Sequence, residues 1–403
     1  MGRHRTSKSP DSSGGWRLVT LGLLLSGAVA CGGLGALVGA GGGSTGRGTA
    51  VRTRVGVPAL FAMPDRPLCD DTVADGVAVG VVDEEALTEV SGLASSLTNP
   101  GLVWLMADGD GGSDGPRVWA VDVDSGARRL QVLLPGEITD SEDLALGPCP
   151  DLSGPCVFVA DTGDNDAERS SVSVIAFPEP TLTGKAEDGL ATVSLDAVWT
   201  MKLAFPDGES VDVEAMAVLP DATAILLFEK TLDDTARVFA ARSPWTIQTP
   251  EDGDVDNDAP RLLEQTGTVT LPRNLARPAD EDEPFGIIAP IGEPVADLDL
   301  SKAERKARRI TGADVHWSGK RLLLRTTAAI LEYVDDDGTG FFDLATRDPR
   351  QVLAAPDDEA QGEAIGYSVN GRSWLSISEV KKGKAADGER PILHRSECQS
   401  PTP

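Results

Sequence analysis

The feature that most constrains the fold of this 403-residue chain is a pattern that recurs five times. Each copy has a polar or acidic residue, a short strand of small and apolar residues, a turn, and a second apolar strand. The copies cover residues 91–110, 142–164, 214–230, 312–327 and 363–379. A third strand candidate follows each copy and a fourth follows several, with period-two alternation between turns rich in Asp, Gly, Pro and Asn. About four short strands per repeat, with repeats about 50 residues apart, indicate β-propeller blades.

The repeats predict an all-β chain, a β-propeller over residues 57–398. Their inner strands start at Ser91, Glu142, Glu214, Gly312 and Glu363. Two of the intervals between these starts are long, and the longer one leaves room in residues 244–310 for a degenerate blade. The expectation is therefore five recognisable blades, with six as the alternative. We expect residues 57–87 to contribute a closing strand and residues 399–403 to form a C-terminal tail.

The ordered motifs of the repeats also carry a resemblance. SGLA, EDLALG with VADTGDN, EAMAV, ITGADVHWSGKRLLLRT and QGEAIGYSVNGRSW together resemble a family of exported bacterial β-propeller proteins. They are similar, more broadly, to the WD40-like, six-bladed and phytase-like propeller groups. The resemblance covers roughly Val90–Cys398 and implies the fold alone, because propellers host enzymes, binding proteins and scaffolds alike. It brings no catalytic residues to this chain.

The N-terminal residues 1–40 predict export. A basic stretch, residues 1–17, precedes the apolar run Leu18–Ala30, as in a signal sequence. Three endings stay open: lipid attachment at Cys31, an uncleaved membrane anchor that continues to Ala40, or ordinary cleavage after Ala30. Residues 41–56 are rich in Gly, Ser and Thr and predict a flexible linker. Each ending places the rest of the chain outside the cytoplasm, anchored to the bacterial cell membrane or secreted if cleaved.

The cysteines fit export as well. If Cys31 is lipidated or lies in the anchor, four cysteines remain, and four allow three pairings. Cys149 and Cys156 flank a loop of turn-forming residues, which favours a local disulfide. Cys69 then pairs with Cys398, which would tie the start of the ring to its end. Disulfides are typical of exported proteins.

The charge balance limits the classes of partner that the chain can bind. The chain has 64 acidic and 36 basic residues and a formal net charge of -28. Such a chain lacks the basic surface that nucleic acids require, and it is repelled by anionic membranes. We therefore expect no nucleic acid, membrane contact through the N-terminal segment only, a monomer, and an unknown protein or small polar ligand as partner.

Charged residues are predicted to gather at one mouth of the propeller channel. The inner strands start there, and the second strands, being antiparallel to the first, return to the same end. The second strands end at Asp108 and Asp110, Asp161 and Asp164, Glu229 with Lys230, Arg325, and Glu379. The alignment therefore predicts a ring of carboxylates with Lys230 and Arg325 among them.

The ring has a binding interpretation and a structural one. Hard oxygen ligands suit Ca²⁺, and the segment DTGDND offers Asp161, Asp164 and Asp166 close to Glu142. The other interpretation is structural, since acidic side chains in turns also accept backbone N–H bonds. The function that we predict is a membrane-tethered binding or scaffolding module that can hold a divalent cation, Ca²⁺, at the channel mouth.

A metal-dependent hydrolase of phosphate esters or lactones is the alternative. Crowded carboxylates raise one another's pKa, which creates acid–base pairs beside a metal ion. The candidate catalytic residues are Glu142, Glu214, Glu363 and Arg325. This alternative requires that the three glutamates and Asp161 converge on one point. Whether the chain is an enzyme stays open at this level.

Overall fold

The computed structural model describes residues 68–399, except for positions 83, 360 and 381 and the ranges 110–114, 183–189, 244–258, 272–274, 277–285, 288–300 and 357–358. The predicted export segment 1–40 with Cys31, the linker 41–56, Asp110 and residues 400–403 lie outside the described residues. Among the helices of the described ranges, none combines the length and the apolar character that crossing a membrane requires.

Twenty-four short strands run through the described residues. In chain order, the first eight are β1 (Val77–Val81), β2 (Val90–Ser95), β3 (Leu102–Ala107), β4 (Arg117–Asp122), β5 (Arg128–Leu133), β6 (Ser141–Pro148), β7 (Pro155–Asp161) and β8 (Val172–Pro178). The next eight are β9 (Ala191–Ser194), β10 (Trp199–Ala204), β11 (Val213–Val218), β12 (Ala224–Glu229), β13 (Thr235–Arg242), β14 (Arg261–Leu262), β15 (Glu264–Thr270) and β16 (Leu275–Ala276). The last eight are β17 (Gly286–Ile287), β18 (Ile310–Val315), β19 (Arg321–Thr326), β20 (Ala329–Val334), β21 (Gln351–Ala354), β22 (Gly362–Tyr367), β23 (Ser373–Ser378) and β24 (Ile392–Glu397). Two short helices, α1 (Lys302–Ala307) and α2 (Lys382–Ala386), accompany them.

Five sheets arranged in a ring make a five-bladed β-propeller, as predicted. From the axis outward, the first blade is β2-β3-β4-β5-β9, the second β6-β7-β8-β10-β14 and the third β11-β12-β13-β15. The fourth is β18-β19-β20-β21 and the fifth β22-β23-β24-β1. The described part of residues 244–310 adds β14 to the second blade and β15 to the third, and it forms the small β16–β17 ribbon. No sixth blade is present among the described residues.

The ring closes at the fifth blade. The N-terminal strand β1 pairs antiparallel with the C-terminal strand β24, so residues near the two ends of the propeller share one sheet. A disulfide between Cys69 and Cys398 ties the same two ends covalently, and a second disulfide joins Cys149 to Cys156 across the β6–β7 hairpin. The predicted closing strand and both predicted disulfide pairings are confirmed.

Large apolar and aromatic side chains fill the space between neighbouring blades. Phe228, Leu324 and Tyr333 pack between the third and fourth blades, because alternate residues of a strand face opposite sides of its sheet. A buried carboxylate joins the first two blades as well: Glu179 accepts a 2.8 Å hydrogen bond from the indole N–H of Trp104. Trp104 itself is fully buried.

Every inner strand carries a β-bulge at its second residue. The register with the neighbouring strand shifts at this residue in all five blades, at Ser91, Glu142, Glu214, Thr311 and Glu363. A bulge re-aims a side chain and is common beside functional sites. The sequence alignment had placed Gly312 in the fourth blade, and this was wrong by one residue. The small polar Thr311 occupies the position that glutamate occupies in three other blades.

Below this ring, one carboxylate joins the inner strands of three blades. Asp143 on β6 is fully buried, and its Oδ2 accepts hydrogen bonds from the backbone N–H of Met216 on β11 (2.8 Å) and of Ala313 on β18 (3.2 Å). Its Oδ1 accepts from the N–H of Leu144 at 2.8 Å. Gly92 allows the close approach on the other side, since a Cβ there would lie 2.6 Å from the backbone nitrogen of Leu144. The inner strands therefore meet around Asp143, and the carboxylates above it lie at the mouth.

Candidate functional site

Five carboxylates from the first three blades meet at the channel mouth, and we call them the mouth cluster. They form two groups, in each of which the ligand oxygens lie within 4.8 Å of one another. The first group is Asp108, Asp140 and Glu142, and the second is Glu142, Asp212 and Glu214. Glu142 belongs to both groups and therefore links them.

The local structure explains how the chain places these side chains. Asp108 directly follows β3, where the second strand of the first blade returns to the mouth. Asp140 and Asp212 directly precede β6 and β11, and Glu142 and Glu214 are the bulge residues of the same two strands. The same two-residue spacing therefore delivers a pair of carboxylates in the second blade and again in the third.

The first group of the mouth cluster is electrostatically strained. Burial and the neighbouring Asp140 raise the pKa of Asp108 to about 6. Burial also raises the pKa of Asp140, and Asp108 in its protonated form shares a hydrogen bond with it. Burial, reinforced by the charges of Asp108 and Asp140, raises the pKa of Glu142 well above its usual range. Like charges held this close disfavour full ionisation, so the group is short of positive charge.

Glu142 is the most enclosed member of the cluster. Only 3% of its surface is exposed, yet among the described residues its side chain accepts a single long hydrogen bond, 3.4 Å from the hydroxyl of Ser91. The loop that follows β7 passes directly over it at Gly163. A Cβ at this glycine would lie 2.5 Å from Oδ2 of Asp140 and would also collide with Glu142. A side chain at residue 163 would thus fill the space against the carboxylates.

The second group already contains a cation from the chain. Lys230, directly after β12, forms an ion pair with Glu214. Its Nζ also lies 4.0 Å from Oδ2 of Asp212 and 3.5 Å from Oδ1 of Asn165. The backbone N–H of Lys230 donates to the carbonyl of Asp212 at 2.9 Å. The backbone of the lysine is therefore held beside Asp212 as well as its side chain.

The acidic segment after β7 makes other contacts than those expected of a calcium loop. Asp161 accepts from the guanidinium of Arg169 at 3.0 Å and from the backbone N–H of Asp140 at 3.0 Å. Asp164 accepts from the backbone N–H groups of Glu168 and Arg169, at 2.8 and 3.0 Å, and so holds the loop that follows it. Asp166 is exposed. Of the predicted metal ligands, Glu142 lies in the mouth cluster, and Asp161 and Asp164 use their carboxylates to order the loop beside it.

The remaining predicted site residues lie on the far side of the mouth. Burial, with the charge of Glu379, raises the pKa of Glu363 to about 8, and Gln361 donates to its Oε1 at 2.8 Å. Arg325 is fully buried and forms an ion pair with Glu359. Burial alone would raise the pKa of Glu359, but Arg325 and a neighbouring histidine lower it.

The four carboxylates that the hydrolase alternative requires are thus only partly brought together. Glu142 and Glu214 lie in one group. Asp161 is bound to Arg169, and Glu363 is bound to Gln361 in the fifth blade. The hydrolase therefore stays a prediction.

Sequence reasoning missed Asp140 and Asp212, although a signal for them was present. The sequence reads Asp-Ser-Glu at residues 140–142 and Asp-Val-Glu at residues 212–214. Both triplets stand at the start of an inner strand, so acidic residues at the expected ring position and two positions before it mark the cluster. The first blade pairs Glu89 with Ser91, and the fourth and fifth carry Arg309 and Gln361 at the earlier position. The doubly acidic pattern is therefore confined to two neighbouring blades.

The histidines of the propeller have local partners. Its Nδ1 lies 2.9 Å from the hydroxyl of Ser318, and its ring packs edge-on against Tyr367 with the centroids 5.0 Å apart. His394 lies 3.0 Å from Oε1 of Glu359 and belongs to the buried network of Arg325. Neither histidine belongs to the mouth cluster.

No protein-family model matches this chain, and no curated protein matches it in sequence. Its function is therefore inferred from the mouth cluster and from the fold that creates it.

Proposed function

We propose that this chain is an extracytoplasmic β-propeller binding module that holds a divalent cation, Ca²⁺, in the mouth cluster. One observation carries the proposal: the ligand oxygens of Asp108, Asp140 and Glu142 lie within 4.8 Å of one another, with a buried glutamate at the centre. A propeller mouth is also where loops from several blades can meet a ligand.

The donor set suits calcium. Ca²⁺ takes six to eight oxygens at about 2.3–2.6 Å, so two oxygens on opposite sides of one ion lie about 4.8 Å apart. All donors in the group are carboxylate oxygens, which hard cations prefer. Soft or tetrahedral metals are disfavoured, because the group contains neither a cysteine nor a histidine.

A cation at this position would also prepare the mouth for a partner. It would relieve the repulsion among Asp108, Asp140 and Glu142, and three side chains leave coordination positions for water or for an oxygen of the ligand. Carbonyl or hydroxyl groups of a protein or of a small polar molecule are suitable donors. This agrees with a binding module rather than a closed structural site.

The two disulfides suit an oxidising compartment outside the cytoplasm. Attachment to the membrane through residues 1–40 is part of the proposal, and cell fractionation tests it. The full chain should sediment with the membrane fraction and should be cleaved by protease added to spheroplasts. Recovery in the cytoplasmic fraction, protected from protease, would contradict this part.

Calorimetric titration of CaCl₂ into the full chain tests the cation site. We expect a dissociation constant between about 0.1 and 1 mM, the range of extracellular calcium-binding modules. At a free Ca²⁺ concentration ten times the dissociation constant, binding should stabilise the fold by about 1.4 kcal/mol. Asp140→Asn and Glu142→Gln should each weaken binding at least tenfold.

Asp151→Asn is the matched control, since Asp151 is an exposed acid in the β6–β7 loop, outside the mouth cluster. This variant should bind Ca²⁺ as the wild type does. If millimolar Ca²⁺ gives neither heat of binding nor a rise in melting temperature, the cation site is excluded. Equal loss of binding in the control would show that the effect is one of overall charge.

A further inference from the structure

We propose that the mouth contains two adjoining cation positions that share Glu142, and that the ammonium group of Lys230 permanently fills one of them. The wild-type chain then offers a single position to a divalent cation. This inference rests on the proposed function and specifies how many ions the same site takes and which residue sets that number.

The two groups of the mouth cluster are alike in their donors. Each contains three carboxylates with ligand oxygens within 4.8 Å of one another. Each contains Glu142 and the aspartate two residues before a bulge, which is Asp140 in one group and Asp212 in the other. By number, type and spacing of donors, the two positions are the same kind of cation site.

The position of Lys230 is a second observation, separate from the spacing of the carboxylates. Its Nζ contacts Glu214 and lies 4.0 Å from Oδ2 of Asp212, within the second group. An ammonium group is a compact cation with three donors, so here the chain itself shows that this position accepts a cation. No lysine or arginine of the described residues forms an ion pair with Asp108, Asp140 or Glu142.

Glu142 is buried with few hydrogen-bond donors around its carboxylate. A glutamate that is 3% exposed would ordinarily be fully hydrogen-bonded, yet among the described residues its side chain receives only the long 3.4 Å contact from Ser91. Its two oxygens belong to a carboxylate that both groups include. A carboxylate placed in this way can face both cation positions, while Lys230 itself pairs with Glu214 and lies beside Asp212.

The consequence is a site in which one lysine fixes the stoichiometry. With Lys230 present, a second divalent ion would have to displace an ammonium that is held by Glu214 and Asn165. Without it, three carboxylates would be left with no cation, and they would recruit one from solution. Removing Lys230 should therefore create a second site instead of destroying the first.

Calorimetric titration of the full chain with CaCl₂ tests this directly. We expect one Ca²⁺ per chain for the wild type, two for Lys230→Met, and one for Lys230→Arg, which keeps a cation in place. Lys230→Gln serves as a second neutral variant in case the first does not fold, and folding is checked by circular dichroism. Lys320→Met, at an exposed lysine far along the chain, is the control and should bind one ion.

The outcomes separate this inference from the proposed function. If the wild type binds no Ca²⁺, the proposed function fails. If it binds one and both neutral variants also bind one, the second position is not a cation site and this inference fails alone. Two ions in the wild type would overturn it as well, because Lys230 would then exclude nothing. Adding Glu142→Gln to Lys230→Met should weaken both sites at least tenfold, and loss at only one site would refute the bridging role.

Discussion

Asp143 offers the sharpest test of how the five blades are held together. Its carboxylate joins β6 to β11 and β18 through the backbone N–H groups of Met216 and Ala313, and a third bond from Leu144 fixes its orientation. Asp143→Ala removes both acceptor oxygens, and with them all three hydrogen bonds, in a place that water does not reach, since the residue has no exposed surface. We expect a large loss of stability with little change in secondary structure.

The magnitude follows from the three N–H groups that would lose their partner. A buried donor left unsatisfied costs about 1–3 kcal/mol, so the loss at Met216, Ala313 and Leu144 is about 3–9 kcal/mol, with about 6 kcal/mol as the central value. Near the melting temperature, a domain of this size shifts by about 1.5 °C per kcal/mol. Asp143→Ala should therefore lower the melting temperature by about 9 °C.

Asp143→Asn is the matched variant. The asparagine Oδ1 can still accept from Met216 and Ala313, and only the local bond from Leu144 is lost. Burial raises the pKa of Asp143 well above its usual range, so the neutral amide also avoids the cost of a buried charge. We expect a loss of about 1 kcal/mol or less by urea denaturation followed by tryptophan fluorescence. If alanine costs no more than asparagine, the three backbone bonds do not hold the axis together.

Three further predictions concern closure, packing and charge. Cys69→Ser with Cys398→Ser should cost about 6 kcal/mol in the chain-entropy account, because that bridge spans 329 residues. Removing the hairpin bridge, which spans 7, should cost about 2 kcal/mol, and equal losses would contradict this ordering. Gly362→Ala should cost at least about 2 kcal/mol by thermal unfolding, since its Cβ would collide with the buried guanidinium on β19, whereas Gly154→Ala, which meets nothing within 4 Å, should be nearly neutral. Burial raises the pKa of Asp314 to about 7, so the folded state binds more protons than the unfolded state and stability should fall as pH rises from about 4 to about 7; Asp314→Asn should flatten this slope, and an unchanged slope would exclude Asp314 as its source.

The propeller could be predicted because each blade has its own local sequence pattern. Alternating apolar residues and turns rich in Gly and Asp fix strands and hairpins without knowledge of the rest of the chain. The closing strand β1 and the pairing of Cys69 with Cys398 followed from the need of a ring to join its ends. These features depend on period and order, which a single sequence displays.

The register of the inner strands could not be read with the same certainty. Gly312 was taken as a ring residue because Ile-Thr-Gly-Ala lacks the acid that marks the other blades, and the structure places Thr311 there. A bulge shifts the alternation by one residue, and no residue type is required for it. The one-residue error therefore arose where the sequence pattern was weakest.

The sequence predicts three of the five members of the mouth cluster. Asp108, Glu142 and Glu214 follow from their places in the repeat, whereas Asp140 and Asp212 precede the strands and belong to loops. The segment at residues 161–166 attracted attention by composition, but Arg169 and backbone N–H groups engage Asp161 and Asp164. Which partner a carboxylate takes is decided by the tertiary fold and not by its immediate neighbours in sequence.

Two adjacent residues of β6 separate structural carboxylates from functional ones. Asp143 has three backbone donors for a fully buried side chain, so the fold itself accounts for its presence. Glu142, one residue earlier, is almost as buried and has one long contact from Ser91, while Asp108 and Asp140 add repulsion. A buried carboxylate with so few donors destabilises a fold, unless a cation from solution binds to it. The contrast between Asp143 and Glu142 is therefore the physical reason to look for a cation at the mouth and not at the axis.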